Sequence, residues 1–254
     1  MSIRSTIQAK LWTRAARLAV RTGFVLAWAV SLGSAAETAA TDQTKEIDVL
    51  RHAVFFKFKD DSSAEDVKKV VDAFRTLPRQ IEAIKGFEWG TNNSPEGLDG
   101  GFTHCFLLTF DNEQGRADYL PHPAHKAFGD VLRPHLDQVF VIDYWGSAHE
   151  NQPQKSLRHA VFFKFKDDAA AADVQAIEEA FAALPEKIDS IKAFEWGKNN
   201  SPERHDDQFT HCFLVTFDSE EGRGAYLPHA EHLAFVEVCK NRIALVDLAV
   251  TDRP

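Results

Sequence analysis

The sequence predicts an α+β fold built twice within one chain, and three observations carry that reading. RHAVFFKFKDD at Arg51–Asp61 returns unchanged at Arg158–Asp168, an offset of 107 residues. Later blocks hold the same register: Trp89 with Trp196, NNSPE at Asn92–Glu96 with Asn199–Glu203, FTHCFL at Phe102–Leu107 with Phe209–Leu214, and the Tyr-Leu-Pro-His segments beginning at Tyr119 and Tyr226. Within each copy, stretches of period two alternate with stretches at helical spacing. A period of 107 residues far exceeds a solenoid unit of roughly 20–50, so each copy is a whole small domain.

The elements of the first copy follow in order. His52–Lys59 alternates His52, Val54, Phe56 and Phe58 on one face with Ala53, Phe55 and Lys57 on the other, which predicts a strand apolar on much of both faces. Ser62 and Ser63 offer an N-cap, with Glu65 and Asp66 in the first turn. Val67, Val70, Val71, Phe74 and Leu77 then recur at helical spacing until Pro78, where the helix is expected to stop. A second strand is expected near Ile84–Gly90, ending in the turn signal Asn92-Asn93-Ser94-Pro95, and a third at Phe102–Phe110. Asp111-Asn112-Glu113 opens a short helix that Pro121 breaks; Pro123 starts another, running through Phe128 and Val131 to Arg133-Pro134. Val139–Trp145 closes the copy as a strand.

The order is β-α-β-β-α-β, a ferredoxin-like split βαβ unit. It predicts a first domain over residues 50–146, a linker over 147–156 and a second domain over 157–254, in which Val246-Asp247-Leu248 stands for Ile142-Asp143-Tyr144. A four-stranded sheet with its helices on one face needs cover on the other. The face carrying the histidines and most aromatics is expected to close against its twin, as an intrachain, pseudo-dimeric α+β barrel with helices outside.

The first 36 residues hold Arg4, Lys10, Arg14, Arg17 and Arg21 and no acid, then the apolar run Gly23–Leu32 and the small residues Ser34-Ala35-Ala36. This is the order of a secretory signal cleaved after Ala36, followed by a short N-terminal linker over 37–49, and it predicts an exported, periplasmic or secreted protein. An organelle transit peptide and an uncleaved anchor are the alternative readings. Removal leaves 24 basic residues against 38 acidic ones, a formal charge of −14. Such a surface repels phosphate backbones, which argues against nucleic acid as a partner. Beyond residue 36 no stretch is long and apolar enough to span a bilayer. Cys105 and Cys212 share a repeat position inside strand-like runs and, with Cys239, read as small buried hydrophobes rather than disulfide partners.

HAVFFKF, FEWGxNNSPE, THCFLLTF and DYLPHPAHKAFGDVLRP at Asp118–Pro134 closely resemble the stress-responsive A/B barrel (Dabb) domain, over Leu50–Trp145 and again from Leu157 to about Val250. The resemblance implies a dimeric ferredoxin-like barrel, both halves of which a tandem member can supply. Most of the family has no assigned chemistry; its best-understood plant member is a cofactor-independent cyclase that closes a linear polyketide by aldol condensation. By matching position, the resemblance implies Tyr119 and His125 as a catalytic pair, with Tyr226 and His232 as the second copy's version. It matches the strand histidines of the pocket to His52 and His104, and to His159 and His211. No cofactor is implied.

The residues themselves support a pocket of that kind. Eight of the eleven histidines form four repeat-matched pairs, 52/159, 104/211, 122/229 and 125/232. Pro123 sets His125 near the third position of a helix, where the dipole disfavours an imidazolium and favours a neutral ring able to accept a proton. Tyr119, six residues earlier across the Pro121 break, can donate to a carbonyl or enolate. His52, His104 and His122, with Phe56, Trp89 and their counterparts His159, His211, His229 and Trp196, are the candidate ligand-lining residues, suited to a flat, partly polar molecule. The bland reading is that these histidines cap helices or bond backbone in a core. Metal ligation is a sharper alternative, but a compact His-x-His or His-x-x-x-His spacing is missing, and no metal site is predicted. In the second copy His229-Ala230-Glu231-His232 lacks the proline, so its helix start is expected to be less fixed, and Glu231 is expected to raise the His232 pKa. The first copy is therefore the expected working site. Binding of a small apolar or aromatic molecule is the favoured function; a cofactor-free lyase or cyclase, a stress or envelope interaction module, and a metal- or haem-handling protein are the other classes.

Overall fold

The computed structural model describes residues 47–148, 156–240 and 243–251. The N-terminal basic and apolar segment, the residues up to 46 that follow it, and linker residues 149–155 lie outside the described residues. The first copy comprises β1 (Ile47–Phe58), α1 (Ala64–Gln80), β2 (Gly86–Asn92), β3 (His104–Phe110), α2 (Glu113–Tyr119), α3 (Pro123–Leu132) and β4 (Leu136–Ala148). The second repeats it as β5 (Leu157–Phe165), α4 (Ala171–Ala182), β6 (Ala193–Lys198), β7 (His211–Phe217), α5 (Glu220–Tyr226), α6 (Ala230–Cys239) and β8 (Ile243–Thr251).

Local sequence explains most boundaries. The Ser63 hydroxyl accepts from the Asp66 amide at 3.2 Å and starts α1. The helix runs past Pro78 to Gln80 instead of stopping there. A proline this close to the end deprives only the Phe74 carbonyl of its donor, so one more half-turn survives.

Each copy has the antiparallel order of a ferredoxin-like unit, and the two join through a short β2–β8 pairing, Thr91 opposite Thr251 and Asn92 opposite Val250. The result is one eight-stranded sheet in the order β4-β1-β3-β2-β8-β5-β7-β6. The ladder is not closed into a barrel. Its two edges, β4 and the end of β6, meet through scattered bonds: the Asn200 amide donates to the Asp143 carbonyl at 2.8 Å, and the Val141 amide to the His205 carbonyl at 2.9 Å.

The two faces of the sheet are used differently from expectation. Val54, Phe56, Phe106 and Phe110, on the same face as His52, pack under the helices with Val70, Phe74 and Phe128. The opposite face, Ala53, Phe55, Cys105, Leu107, Phe140, Ile142 and Tyr144, meets Ala160, Phe162, Cys212 and Leu214 of the other copy. Phe55 and Phe162 cross at 5.1 Å, and Phe140 and Phe162 at 4.9 Å. The expectation that the histidine-bearing face lines the space between copies is therefore corrected. Alanine and cysteine at 53, 105, 160 and 212 let two sheets approach closely, whereas the bulkier Phe106 stacks on Phe74 at 4.1 Å beneath α1. With both faces of β1 apolar, alternation alone could not say which face took the helices.

Charge is buried in the same inter-copy layer. Arg51 pairs with Glu195 at 2.9 Å, Tyr144 donates to the same carboxylate at 2.9 Å, and Arg158 pairs with Glu88 at 3.1 Å. Such buried pairs add little net stability, but a mismatched arrangement would strand a charge, so they fix which surfaces meet. All three cysteines are buried and free.

Candidate functional site

The site grows from the middle of β1. His52 lies directly opposite Asp143 on β4, and cross-strand partners share a face, so both project toward the helix layer. The His52 Nδ1 meets Asp143 Oδ1 at 2.7 Å, and Arg116 on α2 donates to Asp143 Oδ2 at 2.7 Å. All three are buried. Burial alone would lower the His52 pKa, but the adjacent Asp143 carboxylate outweighs it and the net direction is up. Burial would raise the Asp143 pKa; His52 and Arg116 overcome it and hold it down. The centre is thus a histidine–carboxylate–guanidinium chain.

Tyr119 and His125 sit above it. α2 ends at Tyr119, His122 caps α3, and Pro123 occupies its first turn, which brings His125 back over Tyr119 with ring centres 4.2 Å apart. Tyr119 also meets His52 edge-on at 5.5 Å. The Tyr119 ring is buried, and among the described residues no hydrogen bond occupies its hydroxyl. Burial pushes its pKa up, so it remains a donor. His125 Nδ1 faces the Leu120 carbonyl at 3.0 Å. A carbonyl can only accept, so Nδ1 carries the hydrogen and Nε2 of the neutral ring is the free acceptor. Its pKa is lowered, as expected from sequence, but burial rather than the helix terminus is the main cause.

The third wall comes from the other copy. Asn199–Glu203 follows β6 and is clamped on the first copy: the Asn199 side chain accepts from the Asp143 amide at 3.2 Å, and the Asn200 side-chain oxygen accepts from Arg116 at 2.7 Å. This places Glu203 Oε1 3.9 Å from His52 Nε2. The arrangement recurs in the second copy with roles exchanged. Arg223 donates to Asn93 at 2.7 Å, Glu96 Oε2 lies 3.8 Å from His159 Nε2, Tyr226 and His232 stack at 4.2 Å, and His232 Nδ1 meets the Leu227 carbonyl at 2.9 Å. Sequence reasoning marked NNSPE as a repeat and a turn only. Its verbatim return at Asn199–Glu203, with an acid that no turn requires, was the available signal.

Two expectations for the second copy are corrected. Glu231 does not raise the His232 pKa: its carboxylate pairs with Lys187 at 3.1 Å, and burial lowers His232. Losing the proline does not loosen the helix start either, because His229 caps α6 as His122 caps α3. The real difference lies in β8, where His159 faces Ala249 and Val161 faces Asp247. By register, the counterpart of Asp143 is Ala249, not Asp247. His159 is driven down to about 3, by burial first and by His232 and Arg223 next, and burial raises Glu96 to about 7.

The structure gathers His52, Tyr119 and His125, with His159, Tyr226 and His232 alike, and leaves the other candidates elsewhere. His122 and His229 spend Nδ1 as helix caps, accepting from the Ala124 and Glu231 amides. His104 pairs across from Phe56 while His52 pairs across from Leu108, so they stand four residues apart along the strands, ~13 Å. His104 bonds the Thr103 hydroxyl at 2.9 Å, and His211 bonds Glu178 at 2.9 Å. Phe56 belongs to the core under α1, Trp89 lies over Phe106 with the Arg75 guanidinium 5.4 Å from its ring, and Trp196 stacks on Phe213. Among the described residues no three His, Cys, Asp or Glu side chains converge as a metal ion requires. No helix of the described residues is long and apolar enough to cross a membrane.

Fold and site together define a tandem ferredoxin-like α+β protein with two composite side-chain clusters, each built on one copy and completed by a loop of the other. The chain belongs to the Stress Responsive A/B Barrel Domain family, whose pattern matches residues 50–146 and 157–253. It is 38% identical over 95 residues to the stress-response A/B barrel domain-containing protein HS1 of Arabidopsis thaliana, covering 37% of this chain and 87% of that one. It is 30% identical over 95 residues to olivetolic acid cyclase of Cannabis sativa, covering 37% of this chain and 94% of the cyclase. The solved structure of an anthrone oxidase-like protein shares the fold over 82% of this chain and 93% of its own, with a TM-score of 0.53 and 11% identity.

Proposed function

We propose that the first copy binds a small, largely apolar or aromatic carbonyl compound and exchanges protons with it, as a cofactor-free lyase or cyclase does. The observation that carries this reading is the hydrogen bond from His125 Nδ1 to Leu120, which leaves Nε2 as a base beside the buried Tyr119 donor. In the proposed step His125 Nε2 takes a proton from the carbon next to the carbonyl. The electron pair moves onto the carbonyl oxygen, which accepts from the Tyr119 hydroxyl. A relative at 30% identity that is a cyclase supports the class of chemistry. Acetophenone in D2O provides the test. Its methyl hydrogens should exchange faster in the presence of the protein, and His125→Ala should slow that by ~100-fold with an unchanged melting curve. Exchange independent of His125 would refute the proposal.

We also propose that the protein is exported, on the strength of the basic, apolar and small-residue order of residues 1–36. N-terminal sequencing of the native protein should begin near Glu37; a retained Met1 would overturn this.

A further inference from the structure

Glu203 has no role in the step just described, yet it stands in the first site. The acid is contributed by the other copy, and its Oε1 is buried without a hydrogen-bond partner. At 3.9 Å from His52 Nε2 it is too far for a direct hydrogen bond. Its charge reaches Tyr119 and His125 as well as His52. The loop that carries it is held by the bonds of Asn199 and Asn200 to Asp143 and Arg116, so the carboxylate is aimed rather than swinging free. The matched Glu96 repeats the pattern, with Oε2 buried and unpartnered 3.8 Å from His159. A buried carboxylate oxygen left without a donor costs free energy, and the same cost has been kept at both matched positions.

We propose that Glu203 is the specificity-determining residue of the first site, accepting a hydrogen bond from a hydroxyl of the bound molecule. The ligand class narrows accordingly, to a small apolar or aromatic carbonyl compound that also bears a phenol or alcohol hydroxyl. A ligand carboxylate is disfavoured by repulsion. The pocket is selective only when both copies are present, because the acceptor belongs to one and Tyr119, His125 and His52 to the other.

This inference rests on the ligand-site reading above, and a matched pair of probes separates the two. Acetophenone and 4-hydroxyacetophenone are titrated into the full chain, with the His125 ring resonances reporting occupancy of the first site. The hydroxylated ketone should bind about ten-fold more tightly, the worth of one hydrogen bond to a charged acceptor. Glu203→Gln should abolish that preference, read as the ratio of the two ketones' affinities in the same variant, and Glu96→Gln should leave the first-site preference intact. Glu203→Asp, which withdraws the carboxylate by one methylene, provides a second variant should the amide perturb the loop, and should weaken the preference likewise. Equal binding of the two ketones by the unmodified chain, or a preference that survives both Glu203 variants, overturns the role of Glu203 alone. If neither ketone perturbs His125, the ligand-site reading fails and the inference falls with it.

Discussion

The two copies carry the same eleven-residue strand motif yet hold its histidine in opposite states. His52 faces Asp143 across β1–β4 and its pKa rises, whereas His159 faces Ala249 across β5–β8 and falls to about 3. Glu96, beside His159, is lifted to about 7 by burial. The same motif therefore holds its histidine differently in the two copies, with the pKa raised where Asp143 adjoins it and lowered where burial, His232 and Arg223 act. The first site holds a His52–Asp143–Arg116 chain beneath Tyr119 and His125. The second, with the same Tyr and His pair, sets His159 near Glu96 and Arg223.

The comparison is broken most completely by separating the copies. Residues 48–147 alone expose the Phe55, Phe140 and Ile142 face and leave Arg51 without Glu195. Size-exclusion chromatography should find this fragment as a dimer or unfolded, and a stable monomer would contradict the paired architecture. Next in size is Asp143→Ala. Removing the buried carboxylate strands Arg116 and His52, and chemical denaturation should register a loss of about 3–5 kcal/mol. Ala249, already without a carboxylate, should accept serine with a change of under about 1 kcal/mol.

Tyr119→Phe should weaken binding of acetophenone at the first site about five- to ten-fold, the worth of one lost hydrogen bond, with an unchanged melt. Tyr226→Phe should do less there, because it belongs to the second copy's cluster with His232 and His159. A further contrast concerns pH. His159 binds its proton near 6.5 when unfolded and near 3 when folded, so the stability it contributes is lost as pH falls below 6.5, about 1.4 kcal/mol per unit. Glu96 moves the other way: its folded value of about 7 lies above the ordinary 4.5, so its contribution is full below 4.5 and lost as pH rises toward 7. Between 4.5 and 6.5 the two offset each other. Glu96→Gln should therefore steepen the acid limb of the stability curve, and His159→Gln should flatten it.

Much of this was legible in sequence, for identifiable reasons. The repeat register, the Ser63 cap, the Pro121 break and the α3 start at Pro123 are local signals, and each appears where local chemistry put it. The pairing of Tyr119 with His125 was legible too, since one helix break brings them together. Three things were not. The sheet face taken by the helices was hidden because β1 is apolar on both sides. The counterpart of Asp143 is not Asp247, as the order Val-Asp-Leu suggests, because strand pairing sets Ala249 opposite His159. Glu203 escaped notice because its partners are 78 to 151 residues away in the chain, at His125, Tyr119 and His52, and no local spacing encodes a contact across copies.

The most direct measurement is an NMR titration of the histidine rings in the full chain, with His52 and His159 assigned through single substitutions. His52 should titrate above pH 6.5, and its signal should move when Asp143 is replaced by asparagine. His159 should stay neutral from pH 7 down to about 4. Two rings titrating together near 6.5 would contradict the opposite shifts of His52 and His159, and the distinction between the two sites would be lost.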